Sequence, residues 1–73
     1  MARILVIIEK GEQSFGAYSP DVPGCVAVGE TREEVEQLMR EALQLHLEAM
    51  QAEHLPLPEQ QAVAQYMDIP LSA

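Results

Sequence analysis

The first thirty residues alternate short apolar runs with turn-forming residues, a pattern typical of a small β-sheet. Residues 3–9 are rich in β-branched side chains at consecutive positions, which predicts a central strand. A turn at Gly11-Glu12 leads into residues 13–19, which predict a second strand. A third apolar run, residues 25–28, ends at Gly29 and predicts a third strand.

The segment Pro20–Gly24 separates the second and third predicted strands and is built from turn-forming residue types. Its prolines fix φ, the Asp21 carboxylate can accept hydrogen bonds from backbone amides, and Gly24 can adopt a positive φ at little steric cost. We therefore expect an ordered loop at this position.

One long helix is predicted after the third strand. Thr31 and Glu34 have the spacing of a capping box, in which side-chain oxygens satisfy the free amides at a helix start. From there to Pro56 the sequence contains no Gly or Pro, and apolar residues recur at spacings of three and four. These residues form one predicted stripe for packing on the sheet: Val35, Leu38, Met39, Ala42, Leu43, Leu45, His46, Ala49 and Met50.

The residues after the helix predict one more strand. Pro56 and Pro58 end the helix and impose an extended connection, and residues 62–69 then have the composition of a fourth strand before Pro70. The element order is β-β-β-α-β, so the predicted fold is one α+β domain over residues 1–73. It consists of a small, mostly antiparallel sheet with one long helix packed on one face, and no separate DNA-binding domain is expected.

The first strand predicts self-association. The run Ile4–Ile8 is apolar at every position, as in strands that are covered on both faces, whereas one helix covers only one face. A chain of 73 residues also buries only about 60% of the surface that its unfolded form exposes, and its single cysteine excludes an internal disulfide. We therefore expect a homodimer or a higher homo-oligomer that covers the second face.

The charge balance narrows the class of partner. Four Lys and Arg oppose twelve Asp and Glu, which gives a formal net charge of -8 at pH 7. Affinity for phosphate backbones depends on Lys and Arg, so the chain is not expected to bind nucleic acid by itself, whereas a basic protein partner is favoured. The longest apolar run is far shorter than the roughly 20 residues of a membrane span, and no signal peptide is apparent. We expect a cytoplasmic protein without membrane contact.

Few residues suggest catalysis. His46 lies within the apolar stripe and is interpreted as a core-filling side chain, and Cys25 as a small apolar strand residue without a base nearby. No catalytic residue, metal site or cofactor is therefore predicted. The alternative from another class is a metal-dependent hydrolase, in which Asp21, Asp68 and a glutamate would converge on divalent cations.

The solvated side of the predicted helix is strongly acidic. Glutamates outnumber arginines along it, and only Glu36 and Arg40 have the favourable i, i+4 order of an ion pair. Part of this charge serves solubility, and the rest suggests a docking surface for a basic protein.

A longer pattern is more specific. Tyr18-Ser19-Pro20-Asp21-Val22-Pro23-Gly24-Cys25 is followed by Gly29-Glu30-Thr31, by Glu33-Glu34 and later by Glu41-Ala42-Leu43. In these motifs, which belong to the stretch from the first strand to Pro58, the chain resembles the HicB family of bacterial antitoxins. The resemblance implies a partial ribonuclease-H-like fold. It does not imply nuclease activity, since true ribonucleases H place an aspartate in the first strand and Ile4–Ile8 contains none.

The resemblance also implies a function. HicB-like domains bind and mask HicA, a small basic toxin that cleaves mRNA, so we expect a non-enzymatic antitoxin that occludes the RNA-binding surface of a HicA-like protein. Many HicB proteins carry a C-terminal DNA-binding module, and because this chain ends at Ala73 we expect no autorepression by it. An orphan oligomeric domain without a toxin is the third hypothesis.

For the partner-binding surface we select residues at the proline-bounded loop and at the helix start. Asp21, Glu30 and Glu33 are the candidate acidic contacts, and Tyr18 and Val22 are the candidate apolar anchors.

Overall fold

The fold is described here from a computed structural model that covers residues 2–72. In chain order these residues form strands β1 (Ile7–Lys10), β2 (Phe15–Tyr18) and β3 (Val26–Gly29), and then helix α1 (Arg32–Ala52). The strands form one antiparallel sheet in the order β1-β2-β3. The predicted α+β class, with three antiparallel strands followed by one long helix, is confirmed.

Strand β1 is shorter than predicted, and it lies at an edge of the sheet instead of the centre. Its ladder begins with Ile7 opposite Tyr18 and ends with Lys10 opposite Phe15. The ladder cannot continue towards residue 3, because the partner strand turns away after Tyr18 at a proline that has no N–H to donate. Residues 2–6 therefore run on beyond the sheet, and within residues 2–72 no strand pairs with the outer edge of β1.

Small residues on the inner sheet face allow the helix to approach closely. Ala17 is buried and Ala27 half-buried beneath Val35 and Met39, whose side chains are 0% and 1% exposed. At Gly29 a Cβ atom would lie only 2.9 Å from the backbone nitrogen of Val35. The helix start therefore rests directly on the backbone at the end of β3.

Both ends of α1 are capped by local hydrogen bonds. The hydroxyl of Thr31 accepts from the N–H of Glu34 at 3.0 Å, which confirms the predicted cap. The helix ends before the prolines, where His54 adopts a φ of 59° and the N–H of Leu55 donates to the carbonyl of Met50 at 2.9 Å. This hydrogen bond closes the last turn in a Schellman-type arrangement.

The buried side of α1 is narrower than the predicted stripe. Met39 and Leu43 are buried, but Leu38 and Leu45 are 39% and 69% exposed, and His46 is also exposed. The core-filling interpretation of His46 is wrong. The reason is length, since a helix of 21 residues extends about 31 Å while each four-residue strand extends only about 13 Å, so the second half of α1 overhangs the sheet.

The segment after α1 forms no strand within the described chain, so the predicted fourth strand over residues 62–69 is not formed there. Residues 60 and 62–64 line a shared groove with residues 3–6 but make no ladder with them. Hydrogen bonds hold the start of this segment in place: the carboxylate of Asp21 accepts from the N–H of Gln61 at 3.0 Å and from the N–H of Ala62 at 3.2 Å.

Candidate protein-binding site

The side of the sheet opposite α1 is uncovered and largely apolar. Its side chains form two cross-strand rows, Ile7-Tyr18-Val26 and Glu9-Gly16-Val28. Tyr18, Val26 and Val28 are 41%, 63% and 67% exposed. We call Ile7, Tyr18, Val26 and Val28 the outer patch, because contiguous exposed apolar surface of this kind marks interaction sites.

The alternation of small and large residues along β3 creates this patch. Ala27 and Gly29 face the helix, where only small side chains fit, so Val26 and Val28 point to the opposite side. The sequence-based selection of site residues missed these two valines. The signal that identifies them is the alternation itself, since a strand beneath a close helix places its bulky residues on the outer face.

Exposed carboxylates lie at the edges of the outer patch and at the start of α1. Glu9 on β1 lies in the same cross-strand row as Val28, and Glu30 follows directly after β3. Glu33 is exposed in the first turn of α1, where the positive end of the helix dipole favours a negative charge. The arrangement combines apolar side chains with an acidic border, which suits a basic protein better than a nucleic acid.

The acidic charge of the helix is little neutralised. Arg32 pairs with Glu36 at 3.0 Å, in place of the pair predicted between Glu36 and Arg40. Both partners are well exposed, so this pair contributes little to stability. Among the described residues it is the only ion pair between side chains, so most of the glutamates on α1 have no cationic partner there.

The predicted contact residues bracket the outer patch instead of forming one cluster. Tyr18 lies within the patch. Asp21 belongs to the loop before β3, whereas Glu30 and Glu33 follow its other end. The length of β3, about 13 Å, separates the two groups. A partner that contacts both groups must therefore span the whole outer face.

Two of the predicted contacts also have a structural role. The Asp21 carboxylate holds the backbone of Gln61 and Ala62, so it fixes the chain after the helix. Val22 is 1% exposed and packs in the core, so it offers no side chain to a partner, contrary to its selection as an apolar anchor.

Successive turns explain why Val22 is buried. Its N–H donates to the carbonyl of Ser19 at 3.4 Å, and its carbonyl accepts from the N–H of Cys25 at 3.3 Å. Gly24 has a φ of +85°, the positive value expected from the sequence. The turns bury Cys25 and also Ser19, whose hydroxyl has no hydrogen-bond partner among the described residues.

The residues that the metal-dependent hydrolase would need are not brought together in the described chain. Within residues 2–72 there is no group of three His, Cys, Asp or Glu side chains that could share a metal ion. One oxygen of Asp21 is already engaged by two amides, and Cys25 is 6% exposed. The metal-dependent hydrolase therefore receives no support from the geometry. None of the helical residues described here forms a segment apolar and long enough to cross a membrane.

Comparison with known proteins agrees with these features. The family model described as the HicB-like antitoxin of bacterial toxin-antitoxin systems matches residues 4–71. An uncharacterized 14.9 kDa protein of Haemophilus phage HP1 is 34% identical over 65 residues, which cover 89% of this chain and 49% of that protein. The chain thus spans about half the length of this relative. A UPF0150 protein of Synechocystis is 34% identical over 65 residues, covering 88% of this chain and 82% of its own length.

A solved structure shows the same fold. One chain of a structure described as the HicA3 and HicB3 toxin-antitoxin complex superposes with a TM-score of 0.64. The two chains are 34% identical, and the superposition covers 84% of this chain and 72% of the other.

Proposed function

Because the chain belongs to the HicB-like antitoxins of bacterial toxin-antitoxin systems, we propose that it neutralises a small, basic HicA-type ribonuclease by covering the RNA-binding surface of that toxin. In this proposal the protein is a binding module without catalytic activity of its own. The similar solved structure supports the class of partner, since it is a complex of a toxin with an antitoxin.

The observation that carries this proposal is the uncovered outer patch with its acidic border. A surface that binds RNA is basic and must also admit bases, so it offers both charge and apolar area to a protein inhibitor. Tyr18, Val26 and Val28 supply exposed apolar side chains, of which tyrosine is a frequent hot-spot residue. Glu30 and Glu33 supply carboxylates where RNA phosphates would otherwise lie.

The acidic residues and the apolar residues have separable effects. Rim carboxylates such as Glu30 and Glu33 mainly accelerate association with a basic partner, and salt screens this contribution. The apolar centre mainly controls dissociation. Affinity for the toxin should therefore fall as salt rises, while a salt-resistant part remains that depends on Tyr18, Val26 and Val28.

The test is co-expression of this chain with a HicA-type toxin, together with calorimetry and RNA cleavage by the purified toxin. The wild-type chain should restore growth and inhibit cleavage at a one-to-one ratio of binding sites. Val28→Lys should weaken binding at least about tenfold, because it places a cation within the outer patch that faces a basic partner.

A matched control is available on the helix. Leu45 is 69% exposed and Val28 is 67% exposed, so Leu45→Lys makes the same change of net charge at a site of equal exposure. Leu45→Lys should keep full inhibition. If both variants lost toxin binding equally, net charge alone would control binding. If both bound the toxin as well as the wild-type chain does, the outer patch would be excluded as the binding site. A chain that binds no HicA-type protein would support the orphan domain.

We also propose that the protein associates with itself through the first strand. Ile4, Val6 and Ile8 are only half-buried although they pack against the core cluster. Strand β1 presents an unpaired edge within the described chain, and such edges are usually covered in native proteins. Sedimentation at micromolar concentration tests this proposal, because a monomer would contradict it.

A further inference from the structure

The segment after α1 has the side-chain pattern of a strand without a sheet. In an extended chain Val63, Met67, Ile69 and Leu71 share one face. All four side chains are exposed, between 68% and 90%, and Tyr66 on the other face is fully exposed. We call residues 65–72 the tail. An alternating apolar face of this kind is stable only against a partner.

An open groove beside β1 has matching chemistry. It measures about 690 Å³ and lies between the inner side chains of the first strand and the overhanging part of α1. Ile4, Val6 and Ile8 form one wall, and Leu43 and Leu47 contribute to the other. No tail residue lines this groove. Ile8 of β1 and the residues that lead into this strand border the groove, and within residues 2–72 no strand pairs with the outer edge of β1.

We propose that the tail of one copy adds as an edge strand to residues 4–8 of a second copy, the segment that leads into β1, and fills this groove. The proposal rests on the self-association proposed above and names the element responsible for it. Met67, Ile69 and Leu71 would lie beside Ile4, Val6 and Ile8 on the same face of the extended sheet, three alternate side chains next to three, each set spanning about 13 Å.

The position of Pro70 agrees with this pairing. Successive backbone N–H groups of a strand point to opposite edges, so Met67, Ile69 and Leu71 can donate towards residues 4–8 while position 70 faces away. Proline is tolerated in an edge strand when its nitrogen faces solvent. Pro70 would then also prevent a further strand from adding to the new edge, so the assembly would stop there.

The geometry favours binding of the tail to a second copy over folding back into the groove of its own chain. Asp21 and the groove beside residues 3–6 fix the chain at residues 60–64, and the molecule is drawn out to 56 Å against 28 and 19 Å in the other directions. A return to its own residues 4–8 would need a tight turn, yet residues 59–67 contain no Gly, Pro, Asn, Asp or Ser. Pro56 and Pro58 stiffen the connection as well.

The exposed surface agrees with a missing subunit. The isolated chain exposes 6327 Å², whereas a compact monomer of 8.1 kDa would expose about 4500 Å². Its radius of gyration is 15.0 Å, against about 11 Å for a compact domain of this length. The surplus of about 1800 Å² exceeds the roughly 800 Å² that each partner contributes to a standard interface.

The test compares two substitutions on opposite faces of the tail by sedimentation. The wild-type chain should sediment at twice its 8.1 kDa mass or a higher even multiple. Ile69→Asp should give the monomer, because it places a charge in the groove, and Tyr66→Ser should leave the assembly intact. Both variants should still bind the HicA-type toxin, since the outer patch is unchanged.

A disulfide experiment distinguishes exchange from folding back. Chains carrying Val6→Cys and chains carrying Ile69→Cys are mixed and oxidised, and a disulfide between the two kinds of chain is expected. When Tyr66→Cys replaces Ile69→Cys, markedly less of this disulfide should form. Closure only within single chains that carry both cysteines would overturn the proposal.

The outcomes separate this inference from the function it rests on. An Ile69→Asp variant that remains assembled would overturn the role of the tail and leave self-association in place. A wild-type chain that is monomeric at micromolar concentration would overturn both, and toxin neutralisation would be judged by its own assay.

Discussion

The close contact between β3 and α1 allows a sharp prediction about two glycines. At Gly29 a Cβ atom would lie 2.9 Å from the nitrogen and 3.2 Å from the Cα of Val35. At Gly16 the nearest atom to a new Cβ is the Ala27 carbonyl oxygen at 4.0 Å, an ordinary contact. Neither glycine has a positive φ, so the steric contact is the main difference between Gly29→Ala and Gly16→Ala.

The expected changes have opposite signs. Overpacking against a backbone costs about 1–3 kcal/mol, and replacing Gly by Ala returns about 0.4–1 kcal/mol by restricting the unfolded chain. Gly29→Ala should therefore lower the free energy of unfolding by about 1–2 kcal/mol, whereas Gly16→Ala should leave it unchanged or raise it slightly. A chain of 73 residues is stable by only about 4–11 kcal/mol, so the loss is readily measured.

Urea denaturation followed by circular dichroism at 222 nm measures the difference, at one fixed protein concentration because association adds to stability. With a slope of about 1 kcal/mol per molar urea for so small a protein, the midpoint should fall by about 1–2 M for Gly29→Ala. The reasoning would be refuted if both variants shifted alike. It would also fail if Glu34→Ala fully restored Gly29→Ala, since the shortest contact is to backbone and not to the Glu34 side chain.

Further predictions concern the core and the loop. Met39→Ala should cost about 2–5 kcal/mol because Met39 is 1% exposed, while Leu45→Ala, at a residue 69% exposed, should change stability by less than about 0.5 kcal/mol. Equal effects in urea denaturation would contradict the narrow buried side of α1. Ser19→Ala should raise the free energy of unfolding by about 1 kcal/mol, because the buried Ser19 hydroxyl has no partner among the described residues. A loss of stability would show that this hydroxyl is satisfied.

The class of fold was predictable because the strongest patterns are local. The cap at Thr31, the uninterrupted helical stretch and the positive φ of Gly24 depend on neighbouring residues only, and all three are observed. The bounds of β1 were not predictable in this way. They depend on where β2 turns away at Pro20, and a strand ends where its partner ends.

The candidate site was predicted less well, for a related reason. An apolar helical position is buried only where another element lies beneath it, and hydrophobic periodicity does not show that three short strands support just half of α1. His46 and Leu45 are exposed for this reason. Val22 was selected from a loop motif, but the same turns that define the motif direct its side chain into the core. Loop composition predicts order and does not predict which side chains remain outside.

The apolar first strand can now be understood as two surfaces. Because successive side chains of a strand point to opposite faces, Ile4, Val6 and Ile8 face the groove while Ile7 joins the outer patch. A strand covered by one element of its own chain would need alternating polar residues, and this one has none between Ile4 and Ile8. The uninterrupted run is then what two different proposed partners require, a second copy on one face and a toxin on the other. Because alternate side chains of the strand face the two proposed partners, a substitution on one face changes that surface without altering the other.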